Sequence, residues 1–190
     1  MKKYPTLGCC GIDCGLCPRY HIEGKSRCPG CGAKGFSEKH PSCSILTCCV
    51  KTRGLETCAI CEQFPCSRIE KWDQADSFVT HRASIENLKA VRENGLAGFI
   101  TQQQKRMQLL GELLREYDDG RSKSFYCLSA ALLPPAELRA AVRRVKRSLS
   151  PSDDRKIAAN RLREAFNGIA SNGEIDLSYR KKAAGAHVKW

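Results

Sequence analysis

The N-terminal third of the chain has few large apolar side chains. Between Cys9 and Cys66 the sequence is rich in Gly, Pro, Ser, Lys and Cys, and large apolar residues such as Phe36, Leu46 and Phe64 are widely spaced. A segment of this composition buries too little apolar surface to fold through the hydrophobic effect alone, whereas metal ligation can supply the missing stability. We expect short turns here, with small hairpins and one or two helical turns.

The chain also lacks a long apolar run. Residues Met1–Pro5 are followed by no secretory hydrophobic segment, and no later stretch is long and apolar enough to cross a membrane. These absences predict a cytoplasmic protein with no membrane association. Because cytoplasmic thiols are kept reduced, we expect its cysteines to bind metal rather than to form disulfides.

Cysteine, by contrast, is abundant. Twelve of the thirteen cysteines lie between Cys9 and Cys66, and the remaining one, Cys127, is most simply a core residue. Six of the twelve form C-x-x-C pairs, a turn that places two sulfurs where one tetrahedral ion can bridge them. These pairs are Cys14–Cys17, Cys28–Cys31 and Cys58–Cys61. The spacing predicts zinc, with two ions favoured, since two four-sulfur sites need eight ligands and twelve cysteines allow three sites at most.

An iron–sulfur cluster is the alternative metal group. The spacing Cys10-x3-Cys14-x2-Cys17 is the one that radical enzymes use to hold a [4Fe–4S] cluster. Those enzymes need repeated strand–helix units downstream, and the sequence here predicts helices only. Thiolate sites suit both metals, so zinc is the main prediction and iron–sulfur the second.

Four further residues near the cysteine pairs are not expected to bind metal. Cys9 and Cys49 are each adjacent to another cysteine, and neighbouring residues rarely both face one ion. His21 and His40 lie close to cysteines in sequence, but sulfur is already in excess. We expect both imidazoles to lie at the surface.

The cysteine strings resemble a cysteine-rich microbial family of unknown function. The resemblance is carried by Cys10-Gly-Ile-Asp-Cys14-Gly-Leu-Cys17-Pro18 and by the closing string Cys58-Ala-Ile-Cys61-Glu-Gln-Phe64-Pro65-Cys66. It covers residues 9–66 closely and implies zinc binding, without implying a reaction. The cysteines that it marks as metal ligands are Cys10, Cys14, Cys17, Cys28, Cys31, Cys43, Cys48, Cys58, Cys61 and Cys66.

The chain after Cys66 has the pattern of amphipathic helices. Apolar residues recur at helical spacing between Ile85 and Tyr117, and Asn94-Gly95 is typical of a helix end within that stretch. Further helices are predicted from Ser124 to Leu133, from Ala136 to Leu149, and from Ser150-Pro151 to about Ser171. The predicted fold is mainly α, with a Cys-rich metal-binding module at residues 1–67, a helical domain at 68–173 and a basic, partly disordered tail at 174–190.

Three functions remain open at this point. The first is a zinc-stabilised binding or regulatory protein with a structural metal and an unknown protein partner. The second is a metal-dependent or iron–sulfur redox enzyme, with Asp13 and Glu62 as candidate acid–base groups. The third is nucleic-acid binding by the Arg139–Arg147 helix face, suggested by the net charge of +12. That face lacks interleaved aromatic residues, which is more typical of an ordinary solvated helix.

Overall fold

The computed structural model describes residues 1–180 and places helices and turns but no strand within them. One isolated antiparallel bridge joins Leu7 and Asp13. This arrangement confirms the predicted mainly α fold, with a Cys-rich N-terminal region followed by a helical part. Within the same residues, no helix has the combined length and apolar character that crossing a bilayer requires.

Short helical turns carry the cysteine-rich region. The elements are the 3-10 turns Cys14–Leu16 and Gly24–Ser26, helix α1 (Phe36–Lys39), helix α2 (Ser44–Leu46), a π-helical turn (Thr47–Thr52) and the 3-10 turn Cys58–Ile60. The expected helical turns are therefore present, whereas residues 1–180 contain none of the expected hairpins. With so few backbone ladders, the segment depends on side-chain contacts for its stability.

Four longer helices follow: α3 (Ser84–Glu116), α4 (Lys123–Leu132), α5 (Pro135–Ser148) and α6 (Arg155–Asn172). Helix α3 is interrupted at Gly95, whose φ of 76° and ψ of 154° are not helical. This break confirms the helix end predicted at Asn94-Gly95, because glycine adopts a positive φ without steric cost.

The start of α6 differs from the prediction. The sequence indicated a start at Ser150-Pro151, but the helix begins at Arg155 with Asp154 as its N-cap. The Asp154 carboxylate accepts a hydrogen bond from the Ile157 backbone N–H at 2.9 Å. Asp153 instead accepts from the Ser150 backbone N–H at 2.9 Å and holds a separate turn before the helix.

The described chain forms two compact units. Residues 1–103 with 179–180 form the first unit, and residues 104–178 form the second. The predicted boundaries at residues 67 and 173 rest on composition and stay a prediction. Of the predicted tail at 174–190, residues 181–190 lie outside the described part. Within it, the Arg180 backbone N–H donates to the Asp76 carboxylate at 2.8 Å.

The two units have different cores. Cysteines lie among the buried residues of the first, where Cys9, Cys31 and Cys49 share one cluster with Leu7 and Leu88. The second unit is filled by aliphatic and aromatic side chains. Its fully buried residues include Leu110, Leu113, Tyr126, Leu138, Leu162 and Phe166.

Candidate metal centre

Six cysteines line one cavity in the first unit. This first cysteine cavity has a volume of about 340 Å³. Its wall is otherwise largely apolar and includes Phe36, Trp72 and Val79, with His40 also at the wall. The cysteines around it are Cys10, Cys14, Cys17, Cys28, Cys31 and Cys43.

A second cysteine cavity lies in the same unit and has a volume of about 220 Å³. Ile45, Leu55 and Ile69 form part of its wall. The cysteines around it are Cys48, Cys49, Cys58, Cys61 and Cys66. The structure thus divides the ten predicted ligands into six around the first cavity and four around the second. Their role as metal ligands stays a prediction.

The same backbone turn presents a cysteine pair to each cavity. At the first cavity the Cys17 N–H donates to the Cys14 carbonyl at 3.2 Å, and at the second the Cys61 N–H donates to the Cys58 carbonyl at 3.1 Å. Both turns are single 3-10 turns that end in an extended residue. The tight turn brings each pair to one cavity wall, as the C-x-x-C spacing predicts.

Glycine allows the third cysteine pair to approach the N-terminal segment. The Cys31 N–H donates to the Pro5 carbonyl at 2.8 Å. Gly30 has a φ of +92°, and a Cβ at this position would lie 2.5 Å from the Pro5 carbonyl oxygen. Only glycine satisfies both the left-handed conformation and this close contact.

A buried glutamine holds the loop between Cys10 and Cys14. The Gln103 side-chain amide donates to the Asp13 carboxylate at 2.7 Å and to the Thr6 carbonyl at 2.8 Å. This bond gives Asp13, a candidate acid–base group, a structural role, while Glu62 is exposed. Sequence reasoning missed Gln103 because one glutamine among three carries no local signal of burial.

The two histidines are placed differently. His40 lies at the wall of the first cavity, and its Nδ1 is 3.0 Å from the Pro41 carbonyl oxygen. His21 Nε2 is 2.8 Å from the Gly15 carbonyl oxygen, and this residue lines neither of the two cavities. Neither imidazole is an exposed surface group, since both are half-buried.

A row of thiols joins the two cavities. Side-chain interactions couple Cys31 to Cys9, Cys9 to Cys49, and Cys49 to Cys58. Cys9 and Cys49 were set aside as ligands because each has a neighbouring cysteine, and both are almost fully buried in this row. Sequence spacing carried no signal for this row, because its central step, from Cys9 to Cys49, joins residues forty positions apart in the chain.

Thiols at both cavities have raised pKa values. Burial raises the pKa of Cys10 to about 12 and that of Cys17 to about 11. The hydrogen bond with Cys58 and then burial raise the pKa of Cys49 to about 12, although the bond with Cys9 lowers it. The Cys10 and Cys17 thiols of the first cavity are therefore protonated at neutral pH when no metal is bound, and a metal ion has to displace their protons.

One cationic side chain accompanies each group of sulfurs. The buried Lys2 interacts electrostatically with Cys9, Cys31 and Cys49, and forms an ion pair with Glu56 at 3.7 Å. At the second cavity, a hydrogen bond with Cys48 raises the pKa of the exposed Arg53 guanidinium. Positive charge beside several sulfurs favours their deprotonated form, which is the form that binds metal.

The sulfurs do not yet converge on a common point. Within residues 1–180, no three His, Cys, Asp or Glu side chains are arranged so that they could hold one ion as they stand. The donor chemistry nevertheless fits a soft or borderline metal, since each cavity gathers at least four thiols. A tetrahedral ion would draw the sulfurs of a cavity closer together.

Residues 6–71 match the model of a family described as Protein of unknown function (DUF3795). The matched range contains all of the cysteines around both cavities, and it confirms the resemblance to a family of unknown function. No curated protein matches the chain, and neither does any solved structure.

Proposed function

We propose that the cysteine-rich region is a zinc-binding module with a structural metal, and that the chain is a binding or regulatory protein. The observation that carries this proposal is the division of ten cysteines between two cavities. Four thiolates close the coordination shell of zinc and leave no open position for a substrate. The hydrogen bond between Asp13 and Gln103 also favours a structural role for the nearest carboxylate.

Zinc would supply stability that the first unit lacks, because its cysteine-rich region has few large apolar side chains. Five of the twelve cysteines in this region are buried and the other seven are half-buried, and hydrogen bonds to sulfur are weak. An ion in each cavity would tie together segments that are distant in the chain, such as the Cys28–Cys31 turn and Cys43. Structural zinc contributes about 10–16 kcal/mol in small domains, which is ample for a region with few backbone ladders.

The test is the metal content of the purified full-length chain, measured together with its ultraviolet–visible spectrum. We expect a colourless protein with at least one zinc ion per cavity. The variant Cys61→Ser should lose zinc from the second cavity, whereas Cys127→Ala, which changes a cysteine of the second unit, should keep the full content. Protein free of metal after purification with zinc present would overturn the proposal.

An iron–sulfur cluster is the second candidate, because Cys10, Cys14 and Cys17 all line one cavity. Such a cluster would give a brown protein that contains iron and sulfide, and would point to a redox function. The same spectrum therefore separates the two candidates. If the protein purified without air contains iron and sulfide, the zinc proposal is wrong and the redox function takes its place.

Nucleic-acid binding is supported by one observation, the exposure of Arg143, Arg144, Lys146 and Arg147 on α5. Phosphate contacts by such side chains would make binding steeply dependent on salt. Titration of the chain with DNA and RNA at low and at physiological salt tests this possibility. No binding at low salt would exclude it.

A further inference from the structure

The first cysteine cavity holds more sulfur than one zinc ion uses. Six cysteines line it, whereas a tetrahedral ion takes four ligands. A single ion would leave two thiols inside an apolar wall without a metal. The second cavity differs, because it is lined by four of the predicted ligands and by Cys49, whose thiol donates to the Leu55 carbonyl at 3.4 Å.

The volume of the first cavity also exceeds the needs of one ion. A cavity of about 340 Å³ is many times larger than the space that one water molecule or one ion needs. Its wall includes Phe36, Trp72 and Val79, which offer water few hydrogen bonds. A core of several atoms therefore fills this space better than one ion does.

The six sulfurs form one connected group. Cys14 interacts electrostatically with Cys10, Cys17 and Cys31. Cys10 in turn interacts with Cys31 and Cys43. Cys17 interacts with Cys28. Cys10 and Cys14 each interact with three of the other five cysteines, and these interactions link all six sulfurs.

Counting bonds shows how six sulfurs satisfy two ions. Two tetrahedral zinc ions need eight zinc–sulfur bonds, and six thiolates supply eight when two of them each bind both ions. A single ion would bind four of the six sulfurs as thiolates and leave the other two as protonated thiols, whereas two ions use all six sulfurs.

We propose that the first cysteine cavity holds a binuclear zinc–thiolate core in which two of its six cysteines bridge the ions. The second cavity holds one ion, so the chain binds three zinc ions in all. This inference rests on the proposed zinc function and deepens it.

The first experiment counts the zinc ions bound to each chain. Native mass spectrometry of the zinc-loaded full-length chain should show three ions per chain. Cys61→Ser should lower the number to two by removing the ion of the second cavity, and Cys127→Ala should leave it at three. Two ions in the unaltered chain would overturn the inference and leave the proposed zinc function intact. Absence of zinc would overturn both.

The second experiment detects the bridge itself. When zinc is replaced by ¹¹³Cd, two ions that share a sulfur show a spin coupling to each other in the ¹¹³Cd spectrum. We expect two coupled signals and one uncoupled signal. Cys61→Ser should remove the uncoupled signal alone. Three uncoupled signals would place the ions in separate sites and overturn the inference, and iron with sulfide in the loaded protein would overturn it in favour of a cluster.

Discussion

The two compact units build their cores from different kinds of residue. In the first unit, cysteines such as Cys9, Cys31 and Cys49 lie in the core beside a few aliphatic side chains. In the second unit, Leu110, Leu113, Tyr126, Leu162 and Phe166 fill the interior. A helical core is stable through apolar burial, whereas a core of thiols gains its stability when metal joins them. The comparison therefore predicts that each unit responds to a different perturbation.

Removal of metal should have the largest effect, and it should fall on the first unit. We expect a strong zinc chelator to unfold most of residues 1–83, because structural zinc contributes about 10–16 kcal/mol in small domains. Helices α4, α5 and α6 should stay folded. Hydrogen exchange followed by mass spectrometry, with and without chelator, locates the change along the chain.

Two outcomes would break this comparison. Loss of exchange protection in α4, α5 and α6 on chelation would show that the second unit also depends on metal. Unchanged protection throughout the cysteine-rich region would show that the thiol core is stable without metal. Addition of zinc after chelation is the control for reversibility.

Acidification should release the metal while leaving the second unit folded. The metal-free thiols have pKa values raised to about 11 for Cys17 and about 12 for Cys10. Below those values each bound thiolate competes with a proton, so zinc affinity falls as pH falls. The fall approaches tenfold per pH unit for every thiol that is reprotonated on release. Zinc affinity measured against a coloured competing chelator between pH 8 and 6 tests this.

The second unit gives the matching control for the pH change. Its Asp119 and Asp153 have pKa values lowered by backbone hydrogen bonds, from Arg121 and Ser150 respectively. Their contribution to stability is present above the ordinary carboxylate pKa and is lost only as pH falls through the lowered one. No change in the second unit is therefore expected between pH 8 and 6. A zinc affinity that does not vary with pH would contradict thiolate ligation.

Truncation of a core aromatic residue should affect the second unit alone. Phe166 is fully buried and packs on Phe125, with ring centroids 6.2 Å apart, and on Tyr126, at 6.3 Å. Phe166→Ala should lower the free energy of unfolding of the second unit by about 3–5 kcal/mol. Denaturant titration measures this loss. Zinc content should be unchanged, and a loss of zinc in this variant would contradict the separate origins of stability.

A single methyl group should disturb the first unit when it enters the Cys28–Cys31 turn. Gly30→Ala would place a Cβ 2.5 Å from the Pro5 carbonyl oxygen at a φ of +92°. Gly24→Ala is the matched control, since Gly24 has a φ of +75° with nothing within 4 Å of its Cβ position. We expect Gly30→Ala to cost about 1–3 kcal/mol more than the control in unfolding free energy, because it adds overpacking to the same backbone strain.

Zinc affinity is the second measurement for the glycine pair. Gly30→Ala should bind zinc more weakly than Gly24→Ala, because the displaced turn carries two of the six sulfurs of the first cavity. Equal stability and equal zinc affinity for the two variants would show that the close contact with Pro5 is not needed.

Local features of the structure were predictable from the sequence, and long-range ones were not. The break at Gly95 and the helices α4 and α5 follow from periodicity and turn residues that act over a few positions. The division of the cysteines does not. Cys43 lines the first cavity and Cys48 the second, although they are five residues apart. Helix α2 separates Cys43 from Cys48, which lies within the π-helical turn, and no spacing rule reveals that.

The start of α6 shows that sequence-based prediction can also fail over a few residues. The prediction placed the helix start at Ser150-Pro151, although Asp154 also has a side chain that is typical of an N-cap. In the structure the Asp154 carboxylate caps the first turn, while Asp153 is also held by an ion pair with Arg161 at 3.3 Å. The contact with Arg161 lies eight residues away, and it assigns the two carboxylates to different turns.

The smallest expected effect comes from this N-cap of the second unit. Asp154→Ala removes the hydrogen bond to the Ile157 N–H and should lower the free energy of unfolding by about 1 kcal/mol, with no change in zinc content. Glu164→Ala is the matched control, because it removes the same charge from an exposed position within the same helix and should change stability by less than about 0.5 kcal/mol. Thermal unfolding of both variants, monitored by circular dichroism, separates the cap from the charge. Equal losses would mean that charge rather than capping sets the start of α6, and would remove the physical reason for its beginning at Arg155.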